Sequence, residues 1–230
     1  MTEQHLPVDF SFVLASSVHD MKNSVGMLMQ TLEQISASLS PQDPQQRDQL
    51  AVLGYEAARI NGELIQLLAL YRMENKRMLV QIDEHYLDEI INEQLARNDI
   101  LFRSRSIDVE VDCPEDVCWY LDAELLGSVV NNLLVNAARY CKSRIKIAAA
   151  IVNDELHLVI ADDGRGYPDF MLKEPMATSN SVSFSQGNTN LGLLFAGEIA
   201  RLHRRGEQVG RIELANQGVL PGGEIRVILP

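Results

Sequence analysis

The pattern that most limits how this chain can fold is an apolar repeat with alternating steps of four and three near its amino terminus. This spacing places apolar side chains along one narrow seam of a helix. The segment 39–48, LSPQDPQQRD, interrupts the repeat with two prolines and polar residues. We therefore expect one helix to end there and a second to return antiparallel to it. The seam positions are Leu14, Val18, Met21, Val25, Leu28, Leu32, Ile35, Leu39, Leu50, Leu53, Ala57, Ile60, Leu64, Leu67 and Tyr71.

Two helices that each carry one narrow seam have little core of their own. Pairing with a second copy would cover both seams in a dimeric four-helix bundle. The sequence therefore predicts that residues 1–76 form a dimerising helical hairpin. A hairpin packed on the rest of its own chain is the alternative.

From residue 77 onward the repeat gives way to alternating strand-like and helical segments. We predict strands at 78–82, 107–112, 117–121, 144–152, 155–161, 210–215 and 223–229, and helices at 84–98, 122–141 and 191–204. The Asn-Asp pair at 153–154 indicates a hairpin, so much of the sheet should be antiparallel. The predicted fold class is α+β, with the helical hairpin followed by an α/β sandwich whose mixed sheet has helices on one face. The stretch 167–190 has no period and is predicted to be a functional loop.

Charge excludes two classes of partner. The chain has 20 basic and 32 acidic residues and a formal net charge of -12, which opposes binding to nucleic acid and to anionic lipid. No segment approaches the roughly 20 apolar residues that cross a bilayer. We expect a cytoplasmic protein whose partners are proteins or small molecules.

Neither the cysteines nor most of the histidines are spaced as metal ligands or as a redox dithiol. The odd number of cysteines fits a reducing compartment. We expect these histidines on the surface or in the sheet. The residues are Cys113, Cys118, Cys141, His5, His85, His157 and His203.

The stretch SSVHDMKNSVGML, residues 16–28, places polar residues beside the seam. His19 and Asn23 are one helical turn apart and share a face. A neutral imidazole nitrogen attacks a phosphoryl group when its other nitrogen is held protonated, and Asp20 is placed to accept that hydrogen bond. Taken alone, the cluster is better explained as a polar surface patch.

The predicted helix 122–141 carries Asn132 and Asn136 four residues apart, so their amides project together. Amide oxygens are ligands for Mg²⁺, which usually reaches protein through one or two oxygens and substrate phosphates. Arg139 lies three residues after Asn136, and its guanidinium group can bind a phosphate. The alternative is that these side chains only solvate the helix end.

Two glycine motifs follow the predicted strand 155–161. Asp162, Gly164 and Gly166 form D-x-G-x-G, in which glycine lets a ligand approach the backbone and the carboxylate accepts from an exocyclic amine such as that of adenine. Further on, a polar loop that contains Gly187 and Gly192 leads into a helix. The free backbone N–H groups at the start of a helix can bind phosphates. An ordinary turn and an ordinary helix cap are the alternatives.

The order and spacing of these four motifs resemble the histidine protein kinases of two-component systems over essentially the whole chain. The resemblance implies that His19 is the phosphoacceptor. It also implies that Asp20 helps to activate His19 and that Asn23 places water for phosphatase action.

The resemblance further implies that residues 77–230 are a Bergerat-type (GHKL) domain that binds ATP and Mg²⁺, with Asn136 as the metal ligand and the 167–190 loop as the ATP lid. Asn188 and Asn190 stand where the family usually has glycine. The nucleotide-binding residues it implies are Asn132, Asn136, Arg139, Tyr140, Asp162, Gly164, Gly166, Thr189, Leu191 and Gly192.

The function implied is autophosphorylation of His19 from Mg-ATP and transfer to an aspartate of a response-regulator receiver domain, in a homodimer. Because no sensory domain precedes the hairpin, we expect a separate sensor protein as a further partner. Two alternatives stay open. One is a histidine phosphotransfer hub with a degenerate ATP-binding domain, and the other is a non-catalytic partner-switching module.

Overall fold

A computed structural model describes residues 10–38, 44–74, 79–173 and 191–230. The chain divides into two units, Met1–Met78 and Leu79–Pro230. Thr189, Asn188 and Asn190, with most of the predicted lid, lie outside the described residues.

The first unit is a pair of helices, α1 (Phe10–Ser38) and α2 (Pro44–Glu74), that pack against each other. Only a few residues connect them, and so short a connection between packed helices makes them antiparallel. Val18 of α1 and Ala57 of α2 are the buried seam residues among those described, at 3% and 2% exposure. The two helices predicted from the seam are confirmed.

Much of the remaining seam is uncovered within one chain. Met21, Leu28, Ile35, Leu53 and Ile60 are each between 41% and 54% exposed. A row of apolar side chains at helical spacing is costly to leave in water. In the parts of the chain that the structure describes, no helix is long and apolar enough to cross a membrane.

The second unit alternates strands and helices. Its elements are β1 (Asp83–Tyr86), α3 (Leu87–Ser104), β2 (Asp108–Asp112), β3 (Cys118–Leu121), α4 (Ala123–Tyr140), β4 (Arg144–Val152), β5 (Glu155–Asp162), α5 (Asp169–Lys173), α6 (Leu191–Leu202), β6 (Arg204–Arg205), β7 (Gln208–Val209), β8 (Arg211–Asn216) and β9 (Gly223–Leu229).

The main sheet has five strands in the order β2-β4-β5-β9-β8. β2 pairs with β4 in parallel, and the other neighbours are antiparallel. Asn153 and Asp154 have φ of 53° and 64°, the turn expected of a two-residue hairpin. Alternate residues of β4 are buried, and α4 and α6 pack on the sheet. The mixed α/β sandwich is confirmed.

Asp122 joins three parts of this unit at the start of α4. Its Oδ1 accepts from the backbone N–H of Leu125 at 3.0 Å, which caps the helix, and its Oδ2 accepts from that of Gln81 at 2.8 Å. Its own N–H donates to Nε2 of His203 at 3.0 Å. The end of α6 is thereby tied to the beginning of α4.

Several predicted boundaries are wrong. Residues 79–82 are not a strand; β1 begins at Asp83 and pairs with β3, so the following helix starts at Leu87 instead of residue 84 and runs to Ser104. Pairing with a strand distant in sequence overrode the local helical pattern. The helix predicted at 191–204 ends at Leu202, and the predicted loop 167–190 contains the short helix α5 in its described part.

Candidate functional site

His19 is on α1 with its side chain 64% exposed. Its Nδ1 lies 3.4 Å from Nδ2 of Asn23 and 3.8 Å from Oδ1 of Asp20. Among the described residues, Nε2 has no hydrogen-bond partner. Both polar neighbours therefore approach one nitrogen of the ring and leave the other open to solvent.

The two neighbours favour different forms of the ring. An Asn23 amide that donates to Nδ1 requires the ring proton on Nε2. A carboxylate at Nδ1 requires the proton there, which frees the lone pair of Nε2 for attack. Because 3.8 Å is longer than a hydrogen bond, Asp20 must rotate slightly to stabilise the second form.

Asp162 stands at the end of β5 and is 9% exposed. Its Oδ1 accepts from the backbone N–H groups of Gly164 at 2.7 Å and Gly223 at 3.5 Å. Burial raises the pKa of this carboxyl, and the two backbone donors oppose that rise. With Oδ1 held by the backbone, Oδ2 is the oxygen suited to an amine.

The glycines after Asp162 are required by close contacts. A Cβ on Gly164 would lie 2.1 Å from the backbone oxygen of Tyr140, at the end of α4. Gly166 has φ of +75° and lies against the side chain of Asn216. Any larger residue at either position would force the loop away from α4 or from β8.

Asn216, at the end of β8, holds this loop and was missed by sequence reasoning. Its Oδ1 accepts from the backbone N–H of Tyr167 at 2.7 Å, and its Nδ2 donates to the backbone oxygen of Tyr167 at 2.8 Å. Nothing in the sequence near Asn216 signals this role, because the two residues are far apart along the chain.

Asp163, the second aspartate of the motif, is also a structural residue that the sequence did not reveal. It accepts backbone hydrogen bonds from Lys142 at 2.8 Å, Ser143 at 3.0 Å and Arg144 at 3.1 Å. Burial alone would raise the pKa of this carboxyl, but these donors outweigh it and lower the pKa to about 2. Asp163 thus fixes the connection from α4 to β4, next to Asp162.

The Asn-rich face of α4 meets the start of α6. Nδ2 of Asn132 donates to the backbone oxygen of Gly192 at 2.9 Å, and Leu191 is the first residue of α6. Asn136 is one turn further along and half-buried. Its amide has no hydrogen-bond partner within the described part of the chain.

Two guanidinium groups flank Tyr140 at the end of α4. Cζ of Arg165 lies 5.2 Å from the centroid of the Tyr140 ring, and Cζ of Arg139 lies 5.9 Å from it. Two cationic side chains therefore lie where α4 meets the D-x-G-x-G loop.

The structure brings five of the ten predicted nucleotide residues into two contacts on the second unit. One joins Asn132 to Gly192, and the other joins Tyr140, Gly164 and Asp162. His19, Asp20 and Asn23 belong to the first unit. No group of three or more His, Cys, Asp or Glu side chains that could hold a metal occurs within the described ranges.

Residues 121–230 match a protein family described as histidine kinase-, DNA gyrase B- and HSP90-like ATPase. The chain is similar to the virulence sensor histidine kinase PhoQ of Salmonella typhimurium, with 21% identity over 218 residues, which are 94% of this chain and 42% of PhoQ. It is also similar to the adaptive-response sensory kinase SasA of Gloeothece citriformis, with 29% identity over 204 residues, 83% of this chain and 51% of SasA. The chain therefore spans about half or less of each relative.

Solved structures of histidine kinases have the same fold. Acinetobacter baumannii histidine kinase AdeS has a TM-score of 0.59 and 19% identity, covering 92% of this chain and 96% of AdeS. Full-length ShkA in complex with AMPPNP has a TM-score of 0.62 and 13% identity, covering 94% of this chain and 45% of ShkA. The catalytic domain of ThkA has a TM-score of 0.53 and 21% identity, with 65% of this chain and 96% of that domain covered.

Proposed function

We propose that this chain is an ATP-dependent protein-histidine kinase, because residues 121–230 match the protein family described as histidine kinase-, DNA gyrase B- and HSP90-like ATPase. In this proposal residues 1–76 are the dimerising phosphoacceptor hairpin and residues 77–230 are the ATP-binding domain. The observation that carries it is the buried carboxylate of Asp162, with one oxygen held by backbone N–H groups.

Asp162 recognises the adenine base through Oδ2. An adenine amine donates to a carboxylate, and the fixed Oδ1 keeps the second oxygen in a constant orientation. The contact between Gly164 and Tyr140 shapes the wall beside it. Arg139 and Arg165 lie beside that wall and suit the negative charge of the phosphates.

Asn136 is the residue of this chain that fits Mg²⁺. Its amide oxygen is a hard ligand with no competing hydrogen bond among the described residues, and Mg²⁺ commonly shares its coordination with substrate phosphates. Asn136 would hold Mg²⁺ beside the phosphates, where the ion would neutralise the charge that develops on them. Asn132 cannot turn toward the ion without giving up its hydrogen bond to Gly192, so we assign it a supporting role.

His19 receives the phosphoryl group of ATP. The lone pair of Nε2 forms a bond to the γ-phosphorus, the bond from that phosphorus to the β–γ bridging oxygen breaks, and ADP leaves with the electron pair. Asp20 stabilises the proton on Nδ1 during this step. The phosphoryl group then passes to an aspartate of a response-regulator receiver domain. In the phosphatase reaction, Asn23 places the water that hydrolyses this phosphoaspartate.

A homodimer is part of the proposal. The exposed seam residues of α1 and α2 support it, because a second hairpin would cover them. We place the protein in the cytoplasm, where ATP is available.

Labelling with γ-labelled ATP and Mg²⁺ tests the proposal. Wild type should become labelled, whereas His19→Ala and Asp162→Asn should not. His157→Ala, which changes a strand residue of β5, serves as the matched histidine control and should be labelled like wild type. Label that reaches His19 only from a phosphorylated response regulator would contradict the kinase activity and indicate a phosphotransfer hub.

A further inference from the structure

The loop that begins at Asp162 is held at both of its ends by the neighbouring strand pair. At its beginning, the backbone oxygen of Asp162 accepts from the N–H of Gly222 at 3.0 Å, and Oδ1 of Asp162 accepts from the N–H of Gly164 at 2.7 Å. At its end, the side chain of Asn216 holds the backbone of Tyr167. The loop is therefore anchored at two points, and Asp162 belongs to one of them.

The two anchoring points belong to one hydrogen-bonded pair of strands. Asn216 is the last residue of β8 and pairs with Gly223, the first residue of β9. The pairing continues one step further, because the backbone N–H of Gln217 donates to the oxygen of Gly222 at 3.0 Å. The distance between the two anchoring points is therefore set by the pairing of β8 with β9.

Two glycines let the loop lie directly against these anchoring points. A Cβ on Gly166 would be 2.6 Å from Oδ1 of Asn216, and a Cβ on Gly222 would be 2.4 Å from the backbone nitrogen of Gly164. Neither position has space for a side chain. The side chain at position 216 is therefore part of the surface on which the loop lies.

Asparagine fits position 216 for a chemical reason. Its side-chain amide carries an acceptor and a donor, which match the N–H and the oxygen of one backbone residue. Asn216 uses both on Tyr167, at 2.7 Å and 2.8 Å. Aspartate at this position could accept but not donate, and alanine could do neither. Either replacement would therefore release the end of the loop, in part or wholly.

We propose that Asn216 is a positioning residue for base recognition, which acts through Tyr167 and the loop on the orientation of Asp162. This inference rests on the proposed function of Asp162. In this role Asn216 keeps the loop in the conformation in which Oδ2 of Asp162 meets the adenine amine. Little binding free energy is then used to order the loop when the nucleotide binds.

Calorimetric titration of the full chain with ADP and with inosine diphosphate, each with Mg²⁺, tests this role. Inosine diphosphate has an oxygen in place of the amine that ADP offers to Asp162, so wild type should bind ADP more tightly. Asn216→Ala should reduce the ratio of the two affinities about tenfold if the released loop holds Asp162 in place in about one molecule in ten. Asn216→Asp, which keeps the size and the acceptor in case alanine weakens the fold, should also reduce the ratio. Asn92→Ala, at an exposed position of α3, is the matched control and should keep the wild-type ratio.

The affinity ratio separates positioning from stability alone. A variant that is only less folded loses affinity for both diphosphates by the same factor, so its ratio stays at the wild-type value. An unchanged ratio in Asn216→Ala and Asn216→Asp therefore overturns the positioning role and leaves the nucleotide site standing. If wild type binds the two diphosphates equally, or binds neither, the proposed function of Asp162 and this inference are both overturned.

Discussion

The side-chain amide of Asn132 donates a hydrogen bond of 2.9 Å to the backbone carbonyl of Gly192. It connects two motifs that are distant in sequence, one on α4 and one at the start of α6. A Cβ on Gly192 would lie 2.7 Å from that same amide. The close approach of the two helices therefore depends on an amide on one side and a glycine on the other.

Asn132→Asp should weaken this junction, because a carboxylate oxygen cannot donate to the Gly192 carbonyl. We expect the free energy of unfolding to fall by about 1–3 kcal/mol and Mg-ADP affinity to fall with it. Urea unfolding and calorimetric titration measure the two effects. Ser128→Ala, at an exposed position of α4, should change stability by less than about 0.5 kcal/mol. Equal stability of Asn132→Asp and Ser128→Ala would show that the hydrogen bond has no such role.

Asp163 should make the protein sensitive to acid. Its pKa is lowered to about 2 in the folded chain, so the unfolded state binds protons first as the pH falls. The stabilisation, about 2 kcal/mol, is present above the ordinary carboxyl pKa of about 4 and is lost as the pH falls toward 2. Asp163→Asn should unfold more easily at neutral pH and lose part of this acid dependence in urea titrations. Asp116→Asn, at an exposed position, is the control, and an identical pH profile for the two variants would contradict the assignment.

His203 should make the free energy of unfolding depend on pH in a second, higher range than Asp163 does. It is buried, its Nδ1 lies 2.9 Å from the backbone oxygen of Ile199, and its Nε2 accepts from the N–H of Asp122. Burial lowers its pKa, so its stabilising effect is present above the ordinary histidine pKa of about 6.5 and is lost as the pH falls through the lowered value. His203→Gln should remove this slope below about pH 6.5, whereas His85→Gln in β1 should keep it. If the free energy of unfolding of His203→Gln still depends on pH in this range, another group is responsible for the dependence.

The exposed seam should hold two chains together. Leu28→Glu combined with Leu53→Glu places charge on two seam positions that are 52% and 54% exposed. Analytical ultracentrifugation should find a dimer for wild type and a monomer for this variant, because the dimer would have to bury both charges. Gln30→Glu adds one charge away from the seam and should leave the dimer intact. A wild-type monomer at high concentration would contradict the bundle.

The sequence was informative where the fold depends on local pattern. The seam predicted α1 and α2, and the Asn-Asp pair predicted the hairpin of β4 and β5, because in each case the deciding residues are neighbours in the chain. The D-x-G-x-G motif is recognisable for the same reason, and Asp162 and Gly164 do lie in contact, while its role in binding adenine stays a prediction.

Features that depend on distant partners were not predictable. β1 forms because residues 83–86 pair with β3, and β6 and β7 form a second small pairing after α6. His203, predicted to lie on the surface or in the sheet, is buried because Asp122 and Ile199 offer it a donor and an acceptor. The two hydrogen bonds between the Asn216 side chain and the Tyr167 backbone likewise could not be predicted from the residues near either position.

The central claim is that this chain phosphorylates its own His19. Phosphorus NMR of purified wild type incubated with Mg-ATP, combined with peptide mass spectrometry under alkaline conditions, tests it most directly. The expected result is a single acid-labile phosphoryl group on Nε2 in the peptide that contains His19, absent when magnesium is chelated. A protein that binds Mg-ATP and carries no phosphoryl group, or carries it on another residue, would contradict the claim.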